Sequence, residues 1–406
     1  MILNISQFKK SRLAEAPTVW TSKTGARVEY LAFADEGVRN KTPLILLGGA
    51  FQNFRSFRKE AELFSADRPV LLLDLPSQGS NRQLLPDAEF QDLGNLLGEF
   101  FIAHEVKQVI PVGLSYGSAI AFHFARLYPQ LVEKLILGGA TPKLRSSFET
   151  LLHETFRALD LGQRERFAHG VVVNLINYSK RASTGISDRY LTAFQEELLN
   201  MDDLAFVCYR QNCQRIFRAE RLTARIECPA LVFTGEHDHF TLPQENAELV
   251  QQSLPNGTFV LVKDGDHLLN LERRDTVLAL YQAFLTDSSL GQIPGVTIPE
   301  LESFIKTDRR QITRVQTPGL KASLNETVTV ELEDLSLLGC RLTGAEAVPA
   351  SFFDARVLDL QINLPGIPAL TAHWADEDSK TRLLFSMSGA RDMAALEKSI
   401  LTLARS

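Results

Sequence analysis

Between Thr18 and about Thr286, short apolar runs alternate with longer amphipathic stretches, and this alternation constrains the fold more than any other feature of the chain. Six runs stand out: PLILLGG (43–49), PVLLLDL (69–75), QVIPVGL (108–114), KLILGG (134–139), PALVFTG (229–235) and TFVLV (258–262). Each is rich in β-branched and aliphatic residues and bounded by Gly, Pro or Asp, which is strand chemistry. They are apolar along their length rather than at every second residue, so both faces need covering. That predicts an α/β class fold, a mostly parallel sheet with helices packed on it. About ninety residues separate the fourth and fifth runs and read as helices, among them SSFETLLHETFRALDLG and SDRYLTAFQEELLNMDDLAFVCYRQN. An excursion that leaves and re-enters a sheet in this way predicts a lid, here at about 141–222.

The pattern changes after residue 287. SSLGQIPGVTIPELES (288–303) carries Gly, Pro and Ser without a sustained period and is read as a linker over 288–302. Beyond it, TVTVELEDLS, VLDLQINL, PALTAHWA and TRLLFSM alternate in strand fashion with turns between them, and DMAALEKSILTLAR closes the chain as a helix. Short turns in place of helices predict a C-terminal antiparallel β-barrel over 303–406. A length of 406 residues accommodates two domains, 1–287 and 303–406. The net charge of −6 lacks the broad basic surface that DNA or RNA binding needs. MILNISQFKKSRLAEAP has no secretory pattern and no run reaches roughly 18 apolar residues, so a cytoplasmic protein with no membrane span is expected. Cys208, Cys213, Cys228 and Cys340 fit neither a disulfide framework nor zinc spacing and are read as reduced and structural. Oligomeric state stays open, a homo-oligomer included.

Gly113-Leu114-Ser115-Tyr116-Gly117 matches G-x-S-x-G, follows the strand QVIPV and opens the helix GSAIAFHFARLYP. A serine pushed out on a tight strand-to-helix turn needs small residues on both sides. Its hydroxyl becomes a nucleophile only when a base takes the proton and a third group orients that base. Asp238 in TGEHDHF follows the fifth strand and His267 in KDGDHLLNLE follows the sixth, so both belong to loops at the sheet edge that carries Ser115. His123 lies inside a helix, and His104, His153 and His169 are read as surface or lid residues. His237 and His239 flank Asp238, but no further ligand cluster completes a metal site, and none is assigned. An oxyanion hole needs two backbone amides. Tyr116 supplies one, and Gly48-Gly49-Ala50-Phe51 supplies the other from Ala50, with Phe51 the neighbouring alternative. Phe148, Leu151, Phe156, Phe167, Leu191, Phe194 and Phe206 of the lid are candidates to line an acyl tunnel.

With these residues the first 285 or so positions resemble the α/β-hydrolases, and DLPSQGSNRQ (74–83) resembles that family's Asp-x-x-Gly-x-Gly-x-Ser segment. The chain departs from the family where Gly48-Gly49 replaces a frequent His-Gly. Within the family, LILLGGAFQNFRSF, LLLDLPSQGSNRQ and EHDHFTLPQENAEL are most similar to hydroxyalkanoyloxyalkanoate synthases, which join hydroxyacyl groups drawn from acyl thioesters. The resemblance implies ester or thioester cleavage or acyl transfer on a fatty-acyl or hydroxyacyl substrate, with no cofactor for catalysis. The triad alone does not choose between water and an alcohol as acceptor.

DRRQITR (308–314) raises a separate question, because three arginines cluster beyond the residues that the triad requires. The R-x-x-x-R spacing of Arg310 and Arg314 is uninformative alone, since Arg221 and Arg225 share it. Asp334-Leu335-Ser336-Leu337-Leu338-Gly339 follows twenty residues later. A guanidinium grips guanine O6 and N7 or a phosphate, Asp334 accepts from guanine N–H groups, Ser336 adds a hydroxyl and Gly339 permits a close backbone turn. Together these features resemble a PilZ domain, which implies cyclic di-GMP as a regulatory ligand. The family further implies that Arg309 helps hold a stacked pair of ligand molecules. A different class of function stays open beside the enzyme: a catalytically silent signalling adaptor that uses the hydrolase fold for partner docking.

Overall fold

The computed structural model describes residues 3–307, 309, 314–344, 348–353, 360–365, 367, 369–374, 381–386 and 390–403. The chain divides into two compact units, one formed by 1–144 with 202–309 and the other by 145–201 with 310–406.

The first unit is built on a ten-stranded mixed sheet. Its strands are β1 (Ile5–Ser6), β2 (Thr18–Thr21), β3 (Arg27–Phe33), β4 (Leu44–Leu47), β5 (Val70–Asp74), β6 (Ile110–Leu114), β7 (Leu135–Gly138), β8 (Ala230–Gly235), β9 (Gly257–Val262) and β10 (Val296–Thr297). They run in the order β1-β3-β5-β4-β6-β7-β8-β9-β10, with β2 paired to β3. All six strands anticipated from the sequence are present, and β4 through β9 form a parallel block. Every residue of β4 to β8 is buried, as continuous apolar runs require. The antiparallel pairs β2–β3, β3–β5 and β9–β10 make the sheet mixed.

The helices are α1 (Arg58–Phe64), α2 (Phe90–Ala103), α3 (Tyr116–Leu127), α4 (Ser146–Asp160), α5 (Arg164–Leu175), α6 (Arg181–Thr184), α7 (Asp188–Leu199), α8 (Asp203–Arg218), α9 (Pro243–Ser253), α10 (Leu269–Glu272), α11 (Arg274–Leu285), α12 (Leu301–Ile305) and α13 (Ala390–Leu403). One core gathers α2, α3 and α9 on the sheet, and a second gathers α1 and α11. The stretch read as a linker carries structure of its own. β10 pairs with β9, and α12 packs Leu301, Phe304 and Ile305 against the core, with the Phe304 ring 5.6 Å from that of Phe259.

In the second unit, β11 (Val315–Leu324), β12 (Val328–Ser336), β13 (Gly339–Leu342), β14 (Leu360–Asn363), β15 (Leu370–Trp374) and β16 (Arg382–Ser386) close into an antiparallel barrel in the order β11-β12-β13-β16-β15-β14. Leu324, Leu332, Leu335, Leu360, Ile362 and Leu370 fill its interior. Val173 of α5 joins that core, and Tyr178 packs half-buried against it. Thus α4 to α7, read from the sequence as part of a lid, cluster with the barrel, whereas α8 clusters with the first sheet. No helix among the described residues is long and apolar enough to cross a membrane.

The DLSLLG stretch is the hairpin joining β12 to β13. Ser336 pairs with Gly339, and its Oγ donates to the Gly339 carbonyl at 2.9 Å. A Cβ on Gly339 would stand 2.0 Å from the Leu383 carbonyl oxygen of β16, so barrel closure itself demands glycine there. Gly339→Ala should therefore lower the unfolding free energy by more than about 2 kcal/mol without any ligand present; an unchanged melting curve would remove this structural account.

Candidate active site

Leu114 ends β6 and Tyr116 begins α3, leaving Ser115 alone to turn the chain from strand to helix. It does so at φ +49° and ψ −115°, a backbone conformation that L-residues rarely adopt. The flanking glycines have separate steric reasons. A Cβ on Gly113 would lie 2.4 Å from the Gly117 carbonyl oxygen, and one on Gly117 would lie 2.3 Å from that of Leu47. The Ser115 N–H donates to the Gly138 carbonyl at 2.8 Å, tying the turn to β7.

The structure brings Ser115, His267 and Asp238 together. His267 Nε2 lies 3.0 Å from Ser115 Oγ, and Nδ1 lies 2.9 Å from Asp238 Oδ2. Asp238 is 1% exposed and accepts from the Phe240 N–H at 2.9 Å, the Thr241 N–H at 2.7 Å and the Thr241 hydroxyl at 2.5 Å. Burial alone pushes its carboxyl up, but His267 and these donors outweigh burial and leave it below the usual carboxylate range. The Phe240 ring meets the imidazole edge-on at 4.9 Å. Gly139, at φ +55°, leaves room beside it, since a Cβ there would be 3.2 Å from His267 Cε1. Such a chain can pass the serine proton to imidazole while the carboxylate holds the tautomer and steadies the imidazolium.

Gly49 runs close to the serine, with its Cβ position 3.3 Å from that of Ser115. Its N–H is taken by Gln52 Oε1 at 2.7 Å, which leaves Ala50 as the next amide along the loop. Gln78 Nε2 donates to the Gly48 carbonyl at 3.2 Å and fixes the loop from the other side. Tyr116 is the first residue of α3, where an N–H has no carbonyl within the helix to meet.

Other residues singled out from the sequence fall elsewhere. His104, expected at the surface, is 8% exposed, with Nδ1 2.7 Å from the Phe100 carbonyl and its ring against Phe100, because α2 ends by folding into the core. Phe148, Phe167 and Leu191 are buried, whereas Leu151, Phe156, Phe194 and Phe206 are half-buried. Arg314 Nη1 pairs with Asp334 Oδ1 at 2.6 Å. Arg309 pairs instead with Glu248 of α9, and Arg310 lies outside the described residues. Glu236, His237 and Asp264 present ligand atoms within 4.8 Å of one another, a grouping that excludes His239 and that solvated acidic side chains commonly form. The four cysteines are free, and burial pushes Cys213 up to about 12 and Cys228 to about 11.

Residues 42–274 match the model of the alpha/beta hydrolase fold family, and the chain belongs to that family. It is 26% identical over 260 residues to the uncharacterized hydrolase YugF of Bacillus subtilis, covering 62% of this chain and 92% of the relative. To the poly(3-hydroxyalkanoate) depolymerase of Ectopseudomonas oleovorans it is 29% identical over 263 residues, 61% of this chain and 86% of the relative. Among solved structures, the α/β-hydrolase MGS-M2 from a Medee basin deep-sea metagenome library superposes with a TM-score of 0.59 at 18% identity, covering 67% of this chain and 98% of that one. The family match ends before the barrel.

The DLPSQGSNRQ turn, which positions Gln78, carries an unusual carboxyl. Burial raises Asp74 to about 7; hydrogen bonds from the Ser80 N–H and hydroxyl oppose the rise, and Glu29 adds to it. The folded chain thus holds this proton more tightly than the unfolded chain does. The resulting stability is full below roughly pH 4, is lost as pH rises toward 7, and changes little above that. Melting temperatures of Asp74→Asn and the parent chain, compared from pH 4.5 to 8.5, should diverge in favour of asparagine up to about pH 7 and then run parallel. A constant difference throughout would contradict the assignment.

Proposed function

We propose that this chain is a serine hydrolase or acyltransferase acting on a fatty-acyl or hydroxyacyl ester or thioester under control of cyclic di-GMP. The unbroken hydrogen-bonded sequence Asp238–His267–Ser115 at a strained elbow carries the enzymatic part. Ser115 attacks the acyl carbon as His267 takes its proton, and the Ala50 and Tyr116 amides receive the oxyanion. His267 then returns the proton to the leaving alcohol or thiol, giving an acyl-enzyme that water or an acceptor hydroxyl resolves. The name of the depolymerase relative, together with the resemblance to hydroxyalkanoyloxyalkanoate synthases, favours a hydroxyacyl substrate.

Ser115→Ala should abolish turnover of acyl esters and thioesters and labelling by a fluorophosphonate, while leaving the melting temperature within a few degrees. Labelling that persists at another residue would refute the nucleophile, and a parent chain that never labels would favour the adaptor reading.

The nucleotide part rests on Arg309, Arg310, Arg314, Asp334, Ser336 and Gly339. Support comes from the buried Asp334 paired with Arg314 where β11 and β12 begin and end. Arg309 is engaged by Glu248, which Arg221 also approaches at 3.7 Å, so ligand must compete with a carboxylate for this guanidinium. Glu248→Gln should therefore raise the affinity for cyclic di-GMP about 2- to 5-fold in calorimetry, the scale of one partly exposed ion pair. Unchanged or weaker binding would remove Arg309 from the ligand set.

A further inference from the structure

We infer that Arg215 is a positioning residue for the oxyanion side of the active site, a buried positive charge that holds both oxyanion donors from α8. The inference rests on the serine reading above. Arg215 is 0% exposed, yet its hydrogen-bond partners among the described residues include no carboxylate. Its Nε donates to the Ala88 carbonyl at 2.6 Å, Nη2 to the Leu85 carbonyl at 3.3 Å, and Nη1 to Asn212 Oδ1 at 3.1 Å and to the Tyr116 hydroxyl. Fully buried arginines are ordinarily matched by an anion, because desolvating an uncancelled charge is costly. Here every hydrogen-bond acceptor is neutral, and the Glu89 carboxylate, which also bears on the Tyr116 hydroxyl, is paired with Arg218, so part of the guanidinium's field is left for negative charge that develops nearby during reaction.

Two separate paths join this cation to the donors. Tyr116 is gripped at its hydroxyl by Arg215, packs on Phe90 at 5.0 Å between ring centroids, and presents its own N–H at the start of α3. Asn212, one helical turn before Arg215, bonds Ser77 twice: it accepts from Ser77 Oγ at 2.8 Å, and its Nδ2 donates to the Ser77 carbonyl at 2.8 Å. Ser77 stands at φ +66°, and the next residue, Gln78, fixes Gly48 in the loop that carries Ala50. One face of α8 therefore sets both the helix-start amide and the loop amide. Neither path touches the Ser115–His267–Asp238 hydrogen bonds, so the effect belongs to transition-state stabilisation rather than to serine activation.

The test measures the second-order rate of Ser115 labelling by a fluorophosphonate, whose attack also builds charge in the oxyanion hole, beside hydrolysis of p-nitrophenyl butyrate. Arg215→Met should slow labelling and kcat by about 10- to 100-fold with KM changed less than about threefold, and Arg215→Lys should recover part of the loss. Labelling at the parental rate in folded Arg215→Met would overturn the inference. So would equal loss of kcat, KM and melting temperature with no recovery by lysine. Should Arg215→Met fail to fold, Tyr116→Phe cuts only the link and should still slow labelling several-fold; a parental rate there overturns the inference equally. A parent chain that does not label removes the serine reading itself, whereas a labelling parent with an unaffected variant removes this inference alone.

Discussion

Ser115 occupies a backbone region that costs an L-residue about 1–3 kcal/mol, and the rest of the first unit is arranged so that it has no alternative. β6 enters the turn fully buried between β4 and β7, and α3 leaves it with residues 116–122 all buried. With both ends fixed, a single residue must reverse direction. Gly113 and Gly117 remove the Cβ atoms that would otherwise strike the Gly117 and Leu47 carbonyls. The same close approach brings Gly49 beside the serine. The placement of Ser115 and the approach of the Gly48-Gly49 loop are therefore one steric solution.

Charge is distributed around that solution with opposite treatment at its two ends. Asp238 is buried but meets three donors and a histidine, so its negative charge is stabilised where it sits. Arg215 is equally buried but meets only neutral acceptors. On the proposed serine reading, an ionised acid behind the base and a buried cation behind the oxyanion donors would favour the charge separation of attack on an acyl carbon, with imidazolium on one side and oxyanion on the other. Both groups are held in place by hydrogen bonds before any substrate arrives.

The parts legible in the sequence were those fixed by local rules. β4 to β9 announce themselves as apolar runs, and the elbow as glycines around a serine. Asp238 and His267 follow from chain order and from lying just past strands. What sequence did not disclose depends on partners distant along the chain. β3 joins the sheet antiparallel to β5 because of its neighbours, not its composition. His104 is drawn inward by Phe100, Trp20 and Tyr30. The helices between β7 and β8 divide between two units because α5 offers Val173 to the barrel, whereas α8 offers Asn212 and Arg215 to the turns beside the serine. Arg215 carried a signal in RQNCQR, where Asn212 and Arg215 share a helix face, but only the fold shows that the face is buried.

The arginine stretch is better understood for having part of its neighbouring motif explained without a ligand. Ser336 and Gly339 are required by the hairpin and by the approach of β16, so the nucleotide reading leans on Asp334 and the arginines. The boundary between the two compact units falls between Arg309 and Arg310, inside the motif itself. On its near side, Thr307 accepts from Gln244 at 3.0 Å, and Arg309 binds Glu248, both on α9. That helix begins at Pro243, two residues beyond Thr241, whose N–H and hydroxyl hold Asp238. On the proposed nucleotide reading, a ligand that drew Arg309 from Glu248 would act on the helix adjoining the turn that holds Asp238, and the differential energy it could exert there is bounded by the ion pair it must break.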